Sequence, residues 1–163
     1  MAIEYNAFEI FQMGVEIEKN GKKFYNACAQ SVANPGVKKL CMELSGWEDQ
    51  HVALFEKLQN DLPQTARSET VYDPDNELGM YLKAAADSHI FLLNKDMAAL
   101  ASTLKTPMDI LSMALSFEKD SVVLYTGMVR MVPPHWGQAS LNAIINEELK
   151  HIVIIAGQMT SLR

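Results

Sequence analysis

One pattern occurs twice in this chain, and it limits the possible folds more than any other feature. Glu18, Tyr25, Glu48 and His51 reappear 100 residues later as Glu118, Tyr125, Glu148 and His151. Each half therefore has a Glu, a Tyr seven residues on, and a Glu-x-x-His whose Glu lies thirty residues after the first. The flanks agree as well, IEKNGKKFY against FEKDSVVLY. Four coincidences at one offset point to a duplicated unit. Two copies would pack about a pseudo-two-fold axis, with the repeated residues facing one another across the core.

Hydrophobic periodicity says what the unit is. Phe11, Val15, Glu18, Lys22, Tyr25, Ala29 and Val32 recur at steps of three and four, the spacing of one helix face. The same spacing predicts helices over 7–32, 37–60, 107–132 and 138–161. Asn34-Pro35-Gly36 and Pro133-Pro134 break the chain between the members of each pair, and Thr106-Pro107 supplies a cap and a first helical residue. Short turns make each pair an antiparallel hairpin. No stretch alternates with period two, so the expected class is all-α. Residues 61–76 read as an exposed loop, and 77–104 as shorter helices near 78–86 and 92–104. The chain is then one domain over 1–163: hairpin one at about 7–60, a crossover at 61–106 and hairpin two at about 107–161. A single long crossover is the connectivity of ferritin-like bundles.

Composition removes several alternatives. The net charge of −6 and the absence of a Lys/Arg cluster argue against a nucleic-acid surface. No window is apolar enough to span a bilayer, and the N-terminal residues lack a secretory pattern, so a cytoplasmic protein is the expectation. The two cysteines, Cys28 and Cys41, read as buried thiols. They cannot make a four-cysteine iron site or a C-x-x-C redox pair within this chain.

All four repeated Glu and both His fall on apolar stripes. A carboxylate buried alone costs several kcal/mol or takes up a proton, and four together would repel strongly. Lys22 is the only cation on those stripes, and its long stem can carry the charge out to water. Two divalent cations would cancel the four carboxylates. Glu18, Glu48, His51, Glu118, Glu148 and His151 are therefore the candidate metal ligands. The set matches the ferritin-like carboxylate pattern of a Glu from each of two helices and Glu-x-x-His from the other two. Glu147 also lies one turn from His151, but the repeat aligns Glu148 with Glu48 and Glu147 with Trp47. Glu43, Glu56 and Asp120 fall off the stripes and read as solvated, while His89 and His135 lack partners at ligand spacing. Tyr25 and Tyr125 are candidate donors to ligand carboxylates. Gly14 and Gly21, inside the first helix, fit close helix packing, with an apolar path to the site as the alternative.

Glu18…Tyr25, Trp47-Glu48-Asp49-Gln50-His51, Phe117-Glu118-Lys119-Asp120…Tyr125 and Glu147-Glu148-Leu149-Lys150-His151 resemble the di-iron domain of the rubrerythrin family. The resemblance covers the chain outside the 61–106 connection. It implies a pair of iron ions, with manganese or zinc as possible substitutes, and reduction of hydrogen peroxide or dioxygen at a carboxylate-bridged site. It also implies a separate electron donor such as a rubredoxin-like protein, because this chain has no four-cysteine domain. A homodimer is the expected assembly. Where the family's peroxidases carry a further Glu three residues after the third-helix ligand, this chain has Ser121. Iron storage, or an oxygenase or cyclase acting on an organic substrate, are the rival readings.

Overall fold

The computed structural model describes residues 4–67, 69–93 and 96–162, apart from the Ile90 side chain. Four long helices carry the bundle: α1 (Ala7–Ser31), α2 (Pro35–Asp61), α6 (Pro107–Met131) and α7 (Gln138–Ser161). Between them lie α3 (Glu77–Ser88), α4 (Ile90–Leu93) and α5 (Met97–Thr103). Among the described residues there is no β-strand. An isolated antiparallel bridge joins Asn6 to Thr70.

The duplication extends to the helix ends. Asn6 accepts from the Glu9 amide while the Glu9 carboxylate accepts from the Asn6 amide, and Thr106 and Asp109 make the same reciprocal box 100 residues on. Each satisfies amides that a helix start leaves unpaired and contributes about 1 kcal/mol. Pro107 occupies the first turn of α6, where its missing N–H costs nothing. Pro35 does the same for α2 beside its cap Asn34.

Helix α1 packs along α2 and α6 along α7, giving two hairpins. Their buried faces match position by position: Ile10 and Ile110, Phe11 and Leu111, Ile17 and Phe117, Phe24 and Leu124, Leu44 and Ile144, Phe55 and Ile155 are each at most 3% exposed. Each such side chain removed from water contributes about 1.5–3 kcal/mol, so the interface between hairpins is a core of ordinary strength. Cys28 and Cys41 are buried in it as free thiols, and burial raises them to about 12 and about 11.

The crossover differs from expectation in two places. The spacing over 92–104 reads as one helix, but α5 begins anew at Met97, because Asp96 leaves helical geometry and its side chain caps the Ala99 amide. Residues 94 and 95 lie outside the described residues. The 61–76 segment is not all exposed: Leu62 and Ala66 are buried, and a 3-10 turn over Gln64–Arg67 packs on α1. Helix α3 lies on α6, while α4 and α5 lie on α1. The connection thus lies along both first helices of the hairpins. No described helix is long and apolar enough to cross a membrane.

Candidate metal centre

A separation of seven residues is two helical turns, so Glu18 and Tyr25 share one face of α1, as Glu118 and Tyr125 do on α6. Three residues make nearly one turn, which puts Glu48 with His51 on α2 and Glu148 with His151 on α7. Hairpin pairing turns all of these faces inward. Each of the six acidic and imidazole residues is at most 4% exposed.

They converge as two overlapping sets. Ligand atoms of Glu18, Glu48, His51 and Glu148 lie within 4.8 Å of one another, and so do those of Glu48, Glu118, Glu148 and His151. Glu48 and Glu148 belong to both sets, whereas Glu18 with His51 and Glu118 with His151 belong to one each. Each set could hold one cation, with Glu48 and Glu148 common to both. Both rings present Nδ1. His51 Nδ1 lies 3.1 Å from Glu148, 3.6 Å from Glu18 and 3.7 Å from Glu48. His151 Nδ1 lies 2.9 Å from Glu148 and 3.5 Å from Glu118.

The two tyrosines cross between the halves. Tyr25 donates to Glu118 Oε1 at 2.5 Å, and Tyr125 donates to Glu18 Oε1 at 2.6 Å. Each fixes one oxygen of a carboxylate that belongs to a single set. Burial, with the neighbouring carboxylates, raises both phenols well above their usual range, so they stay donors.

The protein atoms alone leave this cluster electrostatically stressed. Burial, then the other carboxylates, raise Glu48 well above the usual carboxylate range. Burial and Glu148 do the same to Glu118. Burial also opposes ionisation of Glu148, but contacts with Glu118, His151 and His51 outweigh it and hold Glu148 low. Burial disfavours both imidazolium ions as well. The surrounding carboxylates overcome that, raising His51 strongly and His151 to about 9. Lys22 offers no relief, since its Nζ reaches Asp49 at 2.6 Å on the surface.

His51 Nδ1 is the buried side-chain atom that lacks any hydrogen-bond partner among the described residues. A buried polar atom left unpaired costs about 1–3 kcal/mol. Here it faces three carboxylates with its ring held from the far side. That donor set, carboxylate oxygens around an unpartnered ring nitrogen, fits a divalent transition metal, which would take the place of the proton there.

Around the six, the repeat gives way to differences that sequence reading did not anticipate. Glu147 Oε2 lies 2.8 Å from His51 Nε2. Its counterpart Trp47 instead stacks on His151, with ring centroids 4.8 Å apart and planes 10° from parallel. His89, given no partner by its spacing, is fully buried and lies with Nε2 3.2 Å from Ser121 Oγ. Phe91 donates its amide to His89 Nδ1, so Nε2 carries the proton and Ser121 accepts it. No sequence signal marked His89, because it lies in the unrepeated crossover. His135 is not among the ligand-forming groups. Asp120, expected to be solvated, is half-buried on α6, and burial raises it.

The interior glycines pack rather than open a path. A Cβ on Gly14 would stand 2.4 Å from the Phe55 ring, and one on Gly21 would stand 3.2 Å from Phe91 and 3.4 Å from Glu48.

Neither the protein-family models nor the curated proteins give a match to this chain. Among solved structures, one from Thermotoga maritima, assigned provisionally as a ferritin-like diiron-carboxylate protein, superposes with a TM-score of 0.70. It is 21% identical, and the match covers 98% of each chain. The fold is ferritin-like.

Proposed function

We propose that this chain is a di-iron redox protein of rubrerythrin type, reducing hydrogen peroxide or dioxygen at the centre between its hairpins. The observation that carries the reading is the sharing of Glu48 and Glu148 by both ligand sets. Shared carboxylates hold two metals close enough to act on one small molecule, whereas two separate sites would not.

Glu18 and His51 would serve one ion and Glu118 and His151 the other, with Glu48 and Glu148 between. Bound iron would supply two electrons to the peroxide and Lewis acidity at its oxygens. The overall change is hydrogen peroxide, two protons and two electrons giving two waters. The chain's own contribution is placement. Tyr25 and Tyr125 hold Glu118 and Glu18 by one oxygen each and so fix the orientation of both carboxylates. Phe24, Phe91 and Phe117 pack ring against ring beside Gly21 and keep water from that flank. Electrons would come from a donor such as a rubredoxin-like protein, and Cys28 and Cys41 are buried as free thiols.

Iron in place of manganese or zinc is part of the proposal. Nitrogen and oxygen donors suit all three. The test is anaerobic loading with ferrous ion, elemental analysis, and then peroxide. Two irons per chain and peroxide consumption well above that of free ferrous ion support the reading. Full loading with consumption no faster than free iron rejects it.

A further inference from the structure

Position 47 in the first half and position 147 in the second are equivalent by the repeat. Each sits just before a shared carboxylate, and each side chain meets the histidine of the opposite half. The two do different chemistry there. Glu147 is half-exposed, and its carboxylate takes the Nε2 hydrogen of a His51 ring that is 3% exposed. Trp47 lays its indole flat on His151, and His151 Nε2 has no protein hydrogen-bond partner among the described residues. His151 instead borders an open pocket of about 310 Å³, lined also by Trp47, Gln50, Glu147, Lys150 and Ile154.

We infer that the two metal positions are inequivalent, with Glu147 as the positioning residue that makes the His51 position the tighter one. A carboxylate that accepts a ligand imidazole's far hydrogen fixes its tautomer and orientation and raises the basicity of the coordinating nitrogen. Stacking fixes the plane of His151 but draws no proton and adds no electron density at Nδ1. Partners of the Glu147 kind change metal affinity by about 10–100-fold. The His51 position therefore fills first. The His151 position, against the pocket, fills second and empties first. The inference rests on reading the cluster as a two-metal centre and is independent of any peroxide chemistry.

Calorimetric titration of the metal-free full chain with Mn²⁺ tests it. The expected wild-type isotherm has two steps of one ion each, the first at least tenfold tighter. In Glu147→Leu the first step weakens by about tenfold or more and the second is unchanged. Trp47→Leu leaves the first step in place and moves the second. Glu147 is half-exposed, so its replacement opens no core cavity, and the circular dichroism of each variant checks that it is folded before titration. Two wild-type steps of equal affinity overturn the inference, as does a Glu147→Leu protein whose two steps weaken together or not at all. A wild-type chain that binds no Mn²⁺, Co²⁺ or Fe²⁺ overturns the two-metal reading along with it. Two inequivalent steps without peroxide turnover leave the inference standing and remove only the peroxide reading.

Discussion

The two hairpins carry one ligand skeleton in two different settings. Glu18, Glu48 and His51 superpose in role on Glu118, Glu148 and His151, and the tyrosines exchange hydrogen bonds symmetrically between halves. The surroundings are not symmetric. At 47 and 147 the halves offer an indole and a carboxylate. At 21 and 121 they offer a glycine and a serine, and the crossover answers each differently. Phe91 packs at Gly21, while His89 hydrogen-bonds Ser121. Charge neutralisation requires the skeleton to be kept in both copies, whereas the outer positions need only fill space and satisfy donors. Each half could therefore diverge there without losing the centre.

The largest effect should come from separating shared ligands from unshared ones. Glu148→Gln removes a donor common to both sets, and elemental analysis should find fewer than one metal per chain. Glu18→Gln removes a donor from one set and should leave about one metal bound. Equal losses in the two variants would contradict the assignment of Glu148 as shared and Glu18 as terminal.

The crossover's asymmetry has a pH signature. Burial, only partly opposed by Glu148, lowers His89 to about 4. The unfolded chain takes up that proton near the ordinary value of about 6.5. Between these limits the unfolded state binds more protons, so stability falls as pH falls from about 6.5 to about 4, by at most about 3 kcal/mol. Other groups in the cluster titrate in the same window, so the informative quantity is a difference. Chemical denaturation of metal-free wild type and His89→Gln at pH 7, 5.5 and 4.5 should show the wild type losing more stability on acidification. Parallel curves would mean that His89 is not held neutral.

The smallest expected effect probes the part of the pattern that stayed symmetric. Tyr25→Phe and Tyr125→Phe each remove one donor to a terminal carboxylate. Each should weaken metal binding by about tenfold, and by equal amounts, in a Mn²⁺ titration. A large difference between them would show that the asymmetry at 47 and 147 reaches the carboxylates as well.

Much of this was legible in the order of residues. The offset of 100 placed Glu18 opposite Glu118 and chose Glu148 over Glu147 before any coordinates, because a repeat copies buried faces along with ligands. The four long helices followed from steps of three and four, and their ends from Pro and from Thr106. The crossover was less legible. It has no second copy to read against, and short helices there are fixed by what they pack on. The break before Met97 and the burial of Ala66 came from that packing.

By itself, the sequence determined the helical hairpins, their pairing and the six acidic and imidazole side chains that fall on buried faces. Periodicity and unbalanced charge are properties of the chain read residue by residue. Only the tertiary structure decided which carboxylates are shared, which imidazole Glu147 holds, and that His89 reaches Ser121. Those contacts join residues on different elements, 32 or more positions apart. Whether such residues meet depends on the distances and angles at which helices pack, and no local pattern encodes them.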